Sequence, residues 1–236
     1  MLKGKTALVT GASRGIGASI AEALARSGAL VALAARTLST LDEIAAKIGN
    51  GAFPVECDLT DRKSLDSAIE RVKKEFGGAP DIIVNNAGLF DIKTVEETSI
   101  EELDSIVQTN LVAPFLLVRA FLPSMKSRGS GHIVTIGSIA DRHIFAGNAA
   151  YSATKFGSRA FHEVLRIETT GTGIRATLVS PASVDTDAWT GIEFVGTDYK
   201  PDRTTMLAPD AVARAVVFAV TQPSDVNVDE LRMSRS

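Results

Sequence analysis

"TALVTGASRGIG", residues 6–17, decides how the chain is read. A short β-rich run, 6–10, ends at a glycine, and Ile16, Ile20, Ala23 and Leu24 then recur at helical spacing up to Gly28. The turn between them carries Gly11, Gly15 and Gly17. Glycine lets backbone approach a ligand closely, and the first turn of a helix offers unpaired N–H groups to an anion. The spacing is not G-x-G-x-x-G, and no Gly-Lys-Ser/Thr ending marks a triphosphate loop. Position carries the reading instead, because the first βα turn of an alternating chain is where a dinucleotide pyrophosphate sits.

Outward from this turn the alternation continues. Apolar runs at 30–34, 52–57, 81–85, 131–138 and 174–180 predict strands, with a short last one at 226–233. Helical patterns at 38–48, 61–76, 101–113, 114–127, 149–170 and 208–221 separate them, and Pro114 predicts a break or kink. Continuous apolar strands alternating with amphipathic helices specify a parallel sheet covered on both faces. We therefore expect one α/β domain over 1–236, with a seven-stranded, mainly parallel sheet. One long irregular segment, 182–207, has the length of a functional loop.

Composition narrows the classes. Of 236 residues, 45% are apolar and 22% charged, which is ordinary globular usage. The formal charge of −3 without a basic block argues against nucleic-acid or anionic-membrane partners. No apolar run reaches the ~18–20 residues of a membrane span. The single cysteine, Cys57, excludes an internal disulfide and fits a reducing compartment, so a cytoplasmic protein is expected. His132, His143 and His162 show no metal-site spacing with Cys57, and no metal is expected.

T-G-x-x-x-G-x-G in this place resembles the short-chain dehydrogenase/reductase family. Further features follow in the family's order: "NNAG" (85–88), "TNL" (109–111), Ser138 at a strand end, Tyr-x-x-x-Lys (151–155), Pro181 and Thr186. "PAS" (181–183) departs from the family's usual Pro-Gly and implies a stiffer loop entry. The resemblance covers nearly the whole chain and implies a doubly wound Rossmann fold. It implies a cofactor site formed by Gly11, Ser13, Arg14, Gly15, Ile16, Gly17, Arg36, Asp58, Leu59, Asn85, Ala87, Gly88, Tyr151, Lys155, Pro181, Val184 and Thr186. Asp58 corresponds to the residue that binds the adenine amino group; helix capping is its bland alternative, for which Thr60 and Asp61 are better placed. The second strand ends "LAART", with Ala35 and Arg36 where an NAD enzyme carries a carboxylate. Arginine's fork suits a 2′-phosphate, and Arg14 supplies a second one, so NADP(H) is the expected cofactor.

The chemistry implied is hydride exchange between a carbonyl and an alcohol, which needs an acid, oxygen stabilisation and orientation. Tyr151 and Lys155 lie on one helix face at i, i+4, and a cation beside a phenol favours its ionised form. Ser138 is implied as the donor to the substrate oxygen, and Asn110 as a holder of a relay water behind Lys155. Seen alone, each has a plain structural reading; the four together in family order carry the catalytic one. Ser138 lacks the G-x-S-x-G setting of a hydrolytic nucleophile.

The substrate is expected to meet Ser138, Phe145, Tyr151 and Trp189, in a pocket made apolar by Phe90, Ile192 and Phe194. Trp189 reads equally as a closing lid or a packing anchor. Arg142 and His143 read as solvated loop residues or as a cationic mouth for a carboxylate or carrier phosphate. The final segment "SDVNVDELRM" loosely resembles members acting on 3-hydroxy acids and simple alcohols. The expected partner is thus a small carbonyl/alcohol substrate of ketone or 3-hydroxy acid type. The alternatives are a 3-oxoacyl-carrier-protein reductase and a catalytically silent NADP sensor. Helices 101–127 and 149–170 are expected to form a homodimer or homotetramer.

Overall fold

A computed structural model describes residues 1–190, 192 and 202–236. Seven strands are present: β1 (Thr6–Thr10), β2 (Leu30–Ala35), β3 (Phe53–Glu56), β4 (Ile82–Asn85), β5 (Gly131–Ile136), β6 (Ile174–Pro181) and β7 (Glu230–Met233). They form one sheet in the order β3-β2-β1-β4-β5-β6-β7. Every described pairing is parallel, so "mainly" understates the case. Crossing from β1 to β4 reverses the winding and opens a crevice at the carboxyl ends of the strands.

The helices follow from the apolar spacing. α1 (Gly15–Arg26), α2 (Leu38–Ile48) and α7 (Pro209–Val220) cover one face; α3 (Arg62–Phe76), α5 (Ala113–Arg128) and α6 (Ala149–Glu168) cover the other. In β1, Ala7 and Val9 join the first layer while Leu8 joins the second. Side chains alternate across a strand, so burial on both faces demands an apolar residue at each position. α3 is capped by Asp61, whose side chain accepts from the Lys63 N–H at 2.9 Å. α4 (Ile100–Val107) starts on a capping box between Ser99 and Glu102.

The break expected at Pro114 is absent. Instead a π-helical turn, Gln108–Val112, joins α4 to α5 without interruption. Pro114 has no N–H to give the carbonyl four residues back, that of Asn110. The wider turn absorbs the defect, and the Ser158 hydroxyl donates to the Asn110 carbonyl at 2.8 Å in place of the missing bond. Against the expectation that no run reaches that length, the continuous helical stretch 100–128 is long and apolar enough to cross a bilayer by length and composition, because α4 and α5 join end to end. Its Leu117, Val118, Phe121 and Met125 nevertheless pack into the core.

Two buried histidines sit within the layer under α6. His132 pairs with the Thr177 hydroxyl at 2.8 Å, and His162 with that of Thr135 at 3.0 Å. Burial pushes His132 down to about 3, helped by Arg175, and pushes His162 down to about 4. Both bind protons more readily unfolded than folded, so stability falls as pH drops from the usual histidine range toward those values. Urea titration is expected to show a loss of about 2–3 kcal/mol between about pH 7 and about pH 5.5. A flat profile over that interval would contradict their neutral burial.

Candidate active site

The glycine turn is shaped by close approach. A Cβ on Gly17 would stand 2.1 Å from the Gly11 carbonyl oxygen, and one on Gly11 would stand 2.8 Å from Ala87 Cα. Gly11 and Gly15 also adopt positive φ, 67° and 56°, which favours glycine. α1 begins at Gly15 with no capping side chain, leaving its first N–H groups directed at the cleft.

The turn is held by residues far along the chain. Asn86 Nδ2 donates to the Thr10 carbonyl at 2.9 Å, and the Thr10 hydroxyl accepts from the Asn86 and Ala87 N–H groups at 3.0 and 3.1 Å. This corrects one expectation. Asn85 does not reach the cleft; it is the last residue of β4, 4% exposed, with both side-chain polar atoms unpartnered among the described residues. Asn86, one residue later and off the strand, lines the cleft instead. Strand alternation through "DIIVNN" was the available signal, since neighbouring residues face opposite sides.

This first half of the cleft, about 510 Å³, is lined by Gly11, Ser13, Arg14, Gly15, Ile16, Gly17, Arg36, Asp58, Leu59, Ala87, Gly88 and Thr186. Arg14 and Arg36 are both exposed there. Asp58 does not cap α3; its Oδ1 accepts from the Thr60 N–H and hydroxyl at 2.9 and 2.7 Å. Those bonds, with the Arg36 charge behind them, hold its carboxyl below the usual range. Cys57 is buried, and desolvation together with Asp58 pushes its thiol up to about 12, which favours the neutral thiol over the nucleophilic thiolate.

The second half, about 490 Å³, is lined by Ser138, Phe145, Tyr151, Lys155, Pro181, Val184 and Trp189. Both halves share Ile16, Asn86, Gly88, Thr186 and Ala188, so they form one continuous cleft. Lys155 is 7% exposed; its Nζ donates to the Ile136 carbonyl at 2.9 Å and lies 5.5 Å above the Tyr151 ring. Phe90 meets Tyr151 and Trp189 edge-on, with centroids 4.9 and 5.1 Å away. The Trp189 indole donates to the Val184 carbonyl at 2.9 Å. The Lys93 N–H, donating to Gly147 at 2.8 Å, ties the segment that carries Phe90 to the entry of α6.

Ser138 follows β5, and its hydroxyl accepts from the Ala140 N–H at 3.1 Å. A hydroxyl has one proton and two lone pairs, so this contact leaves the proton free to be donated. Asn110 lies behind the wall rather than in it. Its Oδ1 accepts from the Leu89 N–H at 2.8 Å, and its Nδ2 donates to the Leu89 carbonyl and the Thr154 hydroxyl at 2.9 and 3.1 Å. It thereby fixes the segment after "NNAG" against α6. Arg142 meets neither expectation set for it. It is bonded to Asp141 and Glu230 and does not line the cleft. Ile192 is half-buried and outside the described wall, while Phe194 lies outside the described residues.

A glycine cradle at a helix start, opening onto a tyrosine, lysine and serine, defines an oxidoreductase that works with a bound nucleotide. The chain belongs to the short chain dehydrogenase family, which it matches over residues 5–193. It is 38% identical to part of glycine betaine reductase ATRR of Emericella nidulans, over 98% of this chain but only 18% of that protein's length. Among solved structures, an alcohol dehydrogenase from the archaeon Thermococcus sibiricus, complexed with 5-hydroxy-NADP, is 34% identical with a TM-score of 0.86. That likeness covers 98% of this chain and 96% of the other. The 3-ketoacyl-(acyl-carrier-protein) reductase of Brucella melitensis, complexed with NADH, is 29% identical with a TM-score of 0.88, covering 99% and 98%.

Proposed function

We propose that the protein is an NADP(H)-dependent oxidoreductase that interconverts a ketone or aldehyde with an alcohol, with Tyr151 as acid and base. The observation that carries this reading is the continuous cleft, which places Tyr151, Lys155 and Ser138 beside the glycine cradle. The cradle fits a dinucleotide: Gly11 and Gly17 have no room for side chains, Gly15 holds a positive φ, and the α1 N-terminus would face a pyrophosphate. When bound, the reduced nicotinamide supplies the hydride equivalent. Tyr151 gives its proton to the carbonyl oxygen, Ser138 donates a hydrogen bond to that oxygen, and Lys155 holds its charge beside the phenol. In the implied relay, the Asn110 carbonyl already accepts from Ser158 and has one lone pair left for water.

Relatives divide between NADP and NADH ligands, so this chain's own residues carry the cofactor assignment. Arg14 and Arg36 would hold the 2′-phosphate, and no carboxylate replaces Ala35 or Arg36. We expect kcat/KM with NADPH to exceed that with NADH by at least about tenfold, equivalent to about 1.4 kcal/mol. Comparable values with both would overturn the assignment.

Phe90, Ile92, Ile139, Ile144, Phe145 and Trp189 give the substrate half an apolar wall. Among its described lining residues Lys155 is the only cation, and Arg142 is committed to carboxylates. A missing cationic mouth counts against a carboxylate and a carrier phosphate alike, so within the proposed class a simple ketone is favoured over a 3-hydroxy acid pair and over a carrier-bound 3-oxoacyl chain. NADPH oxidation with ketones, 3-oxo acids and 3-oxoacyl thioesters tests it; turnover of thioesters alone would favour the other reading. Phe115, Phe156, Val164 and Ile167 are exposed on α5 and α6, which supports a homodimer or homotetramer through these helices.

A further inference from the structure

We propose that Asp141 is a positioning residue for Ser138, acting through the backbone turn that carries the serine hydroxyl. The inference rests on the reading of Ser138 as donor to the substrate oxygen. Asp141 is 1% exposed and does not line the cleft. Its Oδ2 accepts from the Ser180 hydroxyl at 2.5 Å and lies 3.4 Å from the Ser138 backbone N–H, which donates to it. Its Oδ1 accepts from Arg142 Nε at 2.7 Å and faces the Arg159 guanidinium at 3.6 Å. Arg142 bonds onward to Glu230 on β7, and Arg159 stands 3.9 Å from the same carboxylate. Two carboxylates and two guanidiniums balance: both guanidiniums meet Asp141 at Oδ1, while Oδ2 is satisfied by the neutral donors of Ser180 and Ser138.

The backbone is pressed onto this carboxylate. A Cβ on Gly137 would stand 2.5 Å from Ser180 Oγ and 2.7 Å from Asp141 Oδ2. The chain leaving β5 therefore runs against Asp141 at Gly137, and the next residue is Ser138. The turn closes back through the Asp141 N–H to the Ser138 carbonyl at 3.0 Å. Within it the Ala140 N–H occupies one serine lone pair, which sets the direction left to the proton. Ser138 contributes only if its hydroxyl is already aimed, because a donor that must reorient during the reaction loses its advantage. The cluster could instead serve only to clamp β7 onto β6. That role would act on stability and not through the serine.

A double-mutant cycle separates the two. Wild type, Asp141→Asn, Ser138→Ala and the double variant are compared for kcat, ketone KM, NADPH affinity and Tm. With Ser138 present, Asp141→Asn is expected to lower kcat about tenfold or more, while KM and NADPH affinity stay within about twofold. In the Ser138→Ala background the same change is expected to cost less than about twofold. Ser180→Ala removes one bond to Asp141 while leaving the charges in place, and keeps the test available if Asp141→Asn does not fold. Its smaller loss in kcat is likewise expected to vanish in the Ser138→Ala background. Equal losses in both backgrounds overturn the inference and leave the cluster a clamp. A Ser138→Ala variant with wild-type kcat overturns the reading of the serine itself, and the inference with it.

Discussion

Tyr151→Phe is expected to lower kcat by about a thousandfold or more while NADPH affinity stays within about twofold. The change removes one oxygen and keeps the ring. The edge contact with Phe90, 4.9 Å between centroids, does not involve the hydroxyl, so the wall of the cleft survives. Lys155 remains anchored on the Ile136 carbonyl, so the cation stays in place as well. On the proposed mechanism, what is lost is the proton donor to an oxygen that gains charge as the carbonyl is reduced. Steady-state NADPH oxidation gives the rate, and quenching of protein fluorescence gives the affinity. Turnover near the wild-type rate, with cofactor still bound, would remove Tyr151 from the reaction.

Gly17→Ala is the second large effect, and it acts on the other half of the cleft. The new methyl would meet the Gly11 carbonyl at 2.1 Å and Asn86 Nδ2 at 2.5 Å. The first is backbone and the second is the side chain that braces the turn, so neither yields without opening the cradle. We expect NADPH affinity to fall about a hundredfold or more, a cost of about 2.7 kcal/mol, together with a lower Tm. Gly157→Ala on α6 is the control. Its methyl would meet only the side chain of Leu111, at 3.3 Å, and alanine suits a helix interior. Matching losses in the two variants would show that crowding at the cradle is not the cause.

The fold was legible because a parallel sheet buries both faces of each strand, which leaves apolar runs such as 30–34 and 82–84 without polar interruption. The helix face carrying Tyr151 and Lys155 was legible for a similar reason, as i, i+4 spacing survives any packing. Contacts made across long sequence separations were not. Asn86 reaches the glycine turn from 76 residues away, and adjacent asparagines in "NNAG" look alike until the strand assigns them faces. Pro114 marked a real defect, but only the neighbouring helix, through Ser158, shows that a π turn repairs it. The partners of Arg142 lie on its own turn and on β7, and no local pattern around residue 142 announces Glu230.

The bonds from Asn86 to the turn after β1 also bear on the order in which the molecule assembles. The motif nearest the N-terminus is synthesised first, yet its shape depends on hydrogen bonds supplied from the end of β4. Closing that separation costs chain entropy before any contact rewards it. A nascent chain that has produced only the first three strands carries the glycines without their geometry. The cradle matures when β4 docks beside β1, so nucleotide can stabilise the growing protein only after that pairing has formed.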